Sequence, residues 1–463
     1  MGGRSTTKIL ALRAHLNEWL FPDAPRERQG DVSGHPLLVL GLLALGVLLQ
    51  LLRLGWSSAL HTLWAEDGQI FLYGAMKQSF WHDIFATYAG YLVLVPRLIG
   101  EAANLVPLQD APAAVAVLSG AVVSLSGLAV WYASSAHIRN PYLRGALVAL
   151  TVLAPVASLE SVTSAAYVSW YMLFATFWLL LWRPATTRGA AFGSLFILAT
   201  CLSNPGVWFF APLAGLRALA ARDRRDLMIV GSFAVGAVAQ VPAIVFNNES
   251  AVTPMWTNDI WTVYLQRVLD GAAFGLRLGG IAWEHYGWPL LIVLYLGAVV
   301  GLAIGLRRST PTARYLAAIA IPTSLLMFMF AVYQRALGEE MVWLSGIHFG
   351  DGGRYAIVPA LLLVSVAMVL IDRPLRRGQR PLGASWLSLG VVAVLLLGIV
   401  GSFDVQDLTA RGTPPWDDAL KSAAAACHSK HLTEATVPTS PSGYGVPVPC
   451  KRLSSFSDAP PGR

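Results

Sequence analysis

The sequence predicts an all-α polytopic membrane protein of about eleven transmembrane helices, and three observations lead there. Of the 463 residues, 55% are hydrophobic and only 13% charged, with a mean hydropathy of +0.57, which is too apolar for a water-soluble chain of this length. The apolar residues are gathered into runs near the length, about 20 residues, that a helix needs to cross a hydrocarbon core of about 30 Å. The basic residues sit mostly in short connections between those runs, so the net charge of +7 describes membrane topology. No free basic domain is left to hold a nucleic acid.

In chain order the runs are 36–54, 112–134, 143–158, 165–182, 190–204, 205–221, 227–246, 287–306, 313–334, 355–373 and 384–402. The fifth and sixth meet at Ser203-Asn204-Pro205-Gly206, a turn signal that cannot lie in lipid as bare backbone. They are expected to form a helical hairpin with its tip at the outer interface. The alternative, one kinked span over 190–213, would invert everything downstream. The N-terminal arm and the loops around Arg139, Arg183, Arg222, Arg307 and Arg376 collect 20 of the 33 Lys+Arg, while the opposite loops, tail aside, hold 7 including Arg53. A multi-pass chain in the plasma (bacterial inner) membrane, N-terminus cytoplasmic and C-terminus extracytoplasmic, follows from that asymmetry. The same reasoning rejects 91–107 as a full crossing; with Arg97, Glu101 and Asn104 it is expected to lie as a helix at the outer surface.

Outside the membrane domain, 36–402, the arm 1–35 is basic, with an amphipathic stretch from Lys8 to Leu20 suited to the inner leaflet and too polar for a cleaved signal peptide. The first external loop is 55–111, and 247–286 and 335–354 are also expected outside. The tail 403–463 is rich in Pro, Ser and Gly and has too few apolar residues for a core of its own, so it is expected to be a small external cap leaning on the loops. Its Cys427 and Cys450 are expected to form one disulfide in an oxidising compartment. Cys201, inside a span, reads as a small buried apolar residue.

The first external loop carries the chemistry: His61-Thr62-Leu63-Trp64-Ala65-Glu66-Asp67-Gly68-Gln69-Ile70-Phe71, then Trp81-His82-Asp83, then Tyr88-Ala89-Gly90-Tyr91, then Pro96-Arg97. An acidic pair can be an ordinary solvated feature. Here Trp64, Ile70, Phe71 and Tyr73 surround it and should hold it against the protein body, where burial shifts a carboxyl pKa. Arg97 and Glu101 are four apart, which predicts an intrahelical ion pair ahead of a substrate contact. His82-Asp83 and His348 invite a divalent metal, but no ligand spacing is diagnostic, so neither metal nor cofactor is implied. Asn248-Glu249-Ser250 fits a glycosylation sequon by chance. Trp56, Trp81, Trp256, Trp261, Trp283 and Trp288 read as an interfacial belt, from which one or two rings could stack on a sugar.

A first span, a long external loop opening with an acidic pair, an interfacial helix ending near Leu105-Val106-Pro107 and then a span together resemble the GT-C superfamily of membrane glycosyltransferases. So do the hairpin tip Ser203-Asn204-Pro205-Gly206, followed by Phe210-Ala211-Pro212 and the basic Arg222-Asp223-Arg224-Arg225, and Gly353-Arg354-Tyr355 at the outer end of a late span with Pro359 inside it. The resemblance covers roughly 36–402. It departs in the order of the acidic pair, Glu then Asp where Asp then Glu is commoner, and in lacking a basic residue at the hairpin tip.

The resemblance implies sugar transfer outside the cytoplasm from a polyprenyl-phosphate donor to a glycan, lipid or protein acceptor. A carboxylate would take the acceptor hydroxyl's proton, Asp67 first and Glu66 second. Arg354, with Tyr355, would hold the donor phosphate through bidentate hydrogen bonds, the other reading of Arg354 being a pair with Asp351. Arg97, Glu101, His82, Tyr91, His348 and Asp351 are further candidates for substrate contact. Two other classes compete. A transporter or flippase of lipid-linked sugars should show related halves and mid-membrane charges. An O-antigen-ligase-like or polymerase-like enzyme usually keeps its large loop late in the chain, whereas here the acidic loop comes first. The richness in Ala and Leu, and in Arg over Lys, points to a GC-rich bacterial genome, as in actinobacteria.

Overall fold

Four of the long helices open on a proline, at Pro36, Pro112, Pro141 and Pro311, where the missing amide hydrogen is one that no helical carbonyl would have accepted. Asn140 and Thr310 cap two of them, accepting from the amides of Tyr142 at 2.9 Å and Ala313 at 3.3 Å. The computed structural model describes residues 10–23, 36–246, 253–335, 352–377, 382–405 and 414–456. His348, Asp351 and the sequon at Asn248 lie outside the described residues.

A helical stretch in the arm, ending in the π-helical turn Leu16–Leu20, precedes the first long helix, α1 (Pro36–Leu54). The first loop holds α2 (Trp56–His61), a π-helical turn Asp67–Leu72 running into α3 (Tyr73–Lys77), α4 (Phe80–Ile84), the two-residue strands β1 (Thr87–Tyr88) and β2 (Tyr91–Leu92), and α5 (Leu94–Asn104). The bundle continues through α6 (Ala111–Ala133), α7 (Pro141–Val152), α8 (Val168–Leu181), α9 (Thr187–Cys201), α10 (Ala211–Ala220) and α11 (Arg224–Phe246). It closes with α12 (Ile260–Tyr264), α13 (Gly271–Arg308), α14 (Pro311–Gln334), α15 (Arg354–Arg377) and α16 (Leu382–Gly401). The tail forms α17 (Trp416–Lys430), the antiparallel pair β3 (Glu434–Thr439) and β4 (Tyr444–Pro449), and α18 (Cys450–Leu453). Among the described residues six helices are long and apolar enough to cross a membrane, and several shorter apolar helices accompany them. The protein is a helical, polytopic membrane protein.

The runs 190–204 and 205–221 form a helical hairpin. Arg183, after α8, donates to the carbonyl of Ala220 at the end of α10 (3.0 Å), whereas Ser203 at the tip accepts from the amide of Val95 in the first loop (3.0 Å). The returning limb has few residues, and its first turn, Pro205–Phe210, is a 3-10 helix. At about 2.0 Å per residue there and about 1.5 Å in α10, the limb reaches about 27 Å.

Two expectations need correction. The run 143–158 is not one helix: α7 stops at Val152 and covers only about 18 Å, because Pro155 supplies no amide hydrogen and disfavours helix in the residue before it. The chain then passes irregularly through the interior to α8. Arg97 and Glu101 do not pair with each other either. Arg97 donates to Asp83 at 2.8 Å and to the carbonyls of Ile70 and Thr87, both at 3.2 Å, so it ties the π-helical turn Asp67–Leu72, α4, β1 and α5 together.

On the face opposite the first loop, Leu16, Leu20 and Phe21 of the arm are buried. Arg217 lies 5.2 Å from the Phe21 ring, and His137 Nε2 is 3.1 Å from the carbonyl of Leu20. The tail sits on the first loop. Cys427 and Cys450 are disulfide-bonded, Trp416 Nε1 donates to the carbonyl of Leu108 (2.8 Å), the amide of Ser440 donates to the carbonyl of Leu63 (2.8 Å), and Lys77 pairs with Glu434.

Gly68 marks the closest approach of loop and cap, since a Cβ there would lie 2.4 Å from Val446 Cγ2 and 2.9 Å from Thr439 Cγ2. Gly68→Ala is therefore expected to destabilise the protein by about 1–3 kcal/mol through overpacking, read as a lower unfolding midpoint in detergent. Val446→Ala in the same chain should restore most of that loss; no recovery in the double variant would show that the cap is not seated at Gly68.

Candidate active site

The irregular segment 153–167 is where the site is built, because buried peptide groups there need partners that no helix supplies. Arg53, 1% exposed at the end of α1, donates to the carbonyls of Ala154 (2.8 Å), Ala157 (3.2 Å) and Ser402 (3.2 Å). Gln50 donates to the carbonyl of Val152 and Tyr171 to that of Ser161 (3.2 Å). The acidic pair of the first loop serves the other end of the segment. Asp67 Oδ1 accepts from Ser164 Oγ (3.1 Å) and from the amide of Ala166 (2.9 Å), and Glu66 Oε1 accepts from the hydroxyl of Tyr167 (2.7 Å).

The two neighbours differ in setting. Asp67 is 1% exposed, and burial pushes its carboxyl up to about 7, against the lowering effect of the Ala166 amide; the adjacent Glu66 raises it further. It lines a small pocket with Ser58, Thr62, Trp64, Ser164 and the cap residue Ser440. Thr163 in the wall has φ 57°, a left-handed backbone that a β-branched residue adopts only under constraint. Glu66 is only half-buried, and its Oε2 has no hydrogen-bond partner among the described residues.

Beyond Tyr167 stands Arg354, at the start of α15. Its guanidinium lies 4.8 Å from the Tyr167 ring centre and 4.7 Å from that of Tyr355, forms an ion pair with Glu160, and donates to the Tyr355 hydroxyl at 3.2 Å. The Arg354 amide also donates to Glu160 (3.3 Å). One tyrosine side chain therefore touches both groups, its hydroxyl on the Glu66 carboxylate and its ring under the Arg354 guanidinium. Tyr88 and Tyr91 complete an aromatic chamber: burial raises both phenol pKa values, and both feel the charges of Glu66, Arg354 and Arg335. Trp170 packs edge-on against Tyr355 at 5.4 Å. Arg335, just after α14, has no acidic partner among the described residues.

The structure thus brings Glu66, Asp67, Tyr91, Arg354 and Tyr355 into one region. Arg97 is 4% exposed and occupied by Asp83, whose carboxyl burial raises and Arg97 lowers. Glu101, on the same helix, is raised by burial. His82 is exposed on α4. Among the described residues no three His, Cys, Asp or Glu side chains group as metal ligands. Sequence reasoning missed Tyr88, Tyr167, Trp170, Arg335 and Glu160. Of these, Glu160 had a signal, being the only charged residue between Arg144 and Arg183, and a lone carboxylate in an apolar stretch marks a site by default.

No protein-family model matches the chain, and no curated protein matches it. It is similar to two crystal structures of the Archaeoglobus fulgidus oligosaccharyltransferase, one in complex with Zn and sulfate, the other tethered via a disulfide bond with an acceptor peptide containing the NVT sequon. Identity is 12% in each case, with TM-scores of 0.37 and 0.39 over 83% and 85% of this chain. This chain covers 55% and 58% of those chains, little more than half their length.

Because Asp67 holds its proton to about pH 7 when folded but only to about 3.8 in its ordinary state, its ionisation opposes folding. The stability it allows at low pH is lost as pH rises from about 4 to about 7, by a few kcal/mol, roughly 1.36 per pKa unit. Asp67→Asn should flatten that slope in unfolding midpoints taken from pH 4 to 8. Parallel slopes in variant and wild type would contradict the burial.

Proposed function

We propose that the protein is a GT-C-type membrane glycosyltransferase that moves a sugar from a polyprenyl-phosphate donor to a glycan, lipid or protein acceptor at the extracytoplasmic face of the plasma membrane. The observation that carries this reading is the Glu66–Tyr167–Arg354 group, a carboxylate on the hydroxyl of one tyrosine and a guanidinium over its ring, in aromatic surroundings. Glycosyl transfer from a lipid phosphate needs a base for the acceptor hydroxyl, positive charge for the departing phosphate and apolar ring faces for the sugar.

The geometry favours Glu66 over Asp67 as the base. Glu66 faces the chamber with one oxygen unpartnered among the described residues, while Asp67 is turned to Ser164 and Ala166. Asp67 then holds the 164–167 segment that carries Tyr167. Arg354 is paired with Glu160, so it orients the phosphate, and Arg335, which has no acidic partner among the described residues, brings further positive charge. Arg97 keeps the loop assembled and touches no substrate. The disulfide-bonded cap covers the first loop from the same side.

Glu66→Gln is expected to lower turnover by about 10²–10⁴, the usual contribution of a general base, with donor affinity changed less than about threefold. Arg335→Ala should weaken donor binding by about 1.5–3 kcal/mol, the contribution of a charged hydrogen bond. Both are measured on purified protein with a polyprenyl-phosphate sugar. A fully active Glu66→Gln would return the base role to Asp67, and a chain with Glu66 and Asp67 both amidated that still transfers sugar would end the glycosyltransferase reading.

A further inference from the structure

We propose that Gln240, in the membrane helix α11, is a positioning residue that sets the place of Tyr91 in the chamber; the proposal rests on the glycosyl-transfer reading. Gln240 is fully buried. Its Oε1 accepts from the amide of Leu92 at 3.0 Å, and its Nε2 donates to the carbonyls of Leu92 at 3.1 Å and Cys201 at 2.8 Å. A side-chain amide that meets both the N–H and the C=O of one residue does what a neighbouring strand would do.

β2 has need of such a neighbour. It consists of Tyr91 and Leu92 alone and pairs with β1 through Tyr88↔Tyr91 and Thr87↔Leu92, joined by Ala89 and Gly90 with φ of 52° and 82°. A two-stranded ladder this short is not stable by itself, and its outer edge leaves a buried donor and acceptor to be satisfied. Gln240 closes that edge at the residue following Tyr91. The same amide reaches the end of α9, and two further bonds, from the amide of Leu94 to the carbonyl of Leu202 (3.0 Å) and from the amide of Val95 to Ser203 Oγ (3.0 Å), lock the next residues to the hairpin tip. One helix side chain therefore fixes the hairpin that presents Tyr88 and Tyr91 towards Glu66, Arg354 and Arg335.

A buried amide can also be a satisfied core group with no bearing on the reaction, and the experiment separates the two. Gln240→Leu keeps the volume and removes all three bonds. In the full chain in detergent, hydrogen exchange at the Leu92 amide should quicken at least tenfold while that of Leu94, bonded to Leu202, changes less than twofold. Turnover should fall at least tenfold with donor affinity within threefold. Tyr91→Ala should show the same loss, and adding Gln240→Leu to Tyr91→Ala should cost less than a further twofold, because the two changes remove one function.

The proposal is overturned if Gln240→Leu is fully active, if Tyr91→Ala is fully active, or if the two losses multiply. Should Gln240→Leu fail to fold, Gln240→Glu replaces it: the carboxylate still accepts from Leu92 but cannot donate, so a loss smaller than that of Tyr91→Ala and absorbed in the Tyr91→Ala background is expected, and wild-type activity overturns the idea. A wild-type chain with no transfer activity would instead remove the glycosyltransferase reading, while the exchange measurement would still report on the bracket.

Discussion

A backbone that leaves its helix inside a membrane bundle must have its peptide groups satisfied by side chains, and in this protein that constraint falls on residues 153–167. Pro155 ends α7 well short of a full crossing, so carbonyls that would have bonded within a helix face the interior. Each unsatisfied one would cost several kcal/mol in a medium with no water to replace the partner. Arg53 gathers three carbonyls from two segments, Tyr171 takes another, and Asp67 takes the amide of Ala166. The side chains that answer this need come from α1, the first loop and α8, which is why those elements converge where they do.

The candidate site is a product of that convergence. Glu160 lies within the irregular segment and meets Arg354; Tyr167 lies at its end and meets both Glu66 and Arg354. Consecutive carboxylates consequently have unlike environments. Asp67 is enclosed and turned to structural donors, and its carboxyl rises to about 7 because burial outweighs two hydrogen bonds. Glu66 keeps an oxygen without a partner among the described residues on the chamber side.

The loop that carries the acids is itself held from three directions. Arg97 and Asp83 bind its segments together from within, Gln240 and the hairpin tip hold 92–95 from the bundle side, and the disulfide-bonded tail presses on Gly68 and Trp64 from above. Chemistry of this kind tolerates little misplacement of reacting groups, and a loop of more than fifty residues would not otherwise keep them in place. The tail covers the loop with Trp416, which is buried to 1% exposure and donates to the carbonyl of Leu108.

Much of this was legible in the residues themselves. Hydropathy and the distribution of arginines determined the helical membrane architecture, the hairpin at Asn204 and the existence of a helix at Leu94–Asn104, because the cost of placing polar groups in hydrocarbon is local and leaves its mark on consecutive residues. The Cys427–Cys450 pair could also be seen there, as could Glu66, Asp67, Arg354 and Tyr355, which the fold brings into one region. Tertiary structure alone decided which groups meet. Arg97 chose Asp83 over Glu101 because the fold brings α4 to α5 and sets the Asp83 carboxylate 2.8 Å from its guanidinium. Tyr167 and Gln240 could not be picked out from their surroundings in the chain, since a tyrosine or glutamine in an apolar run reveals nothing of what lies opposite it until contacts some 100 to 150 residues away in sequence are formed.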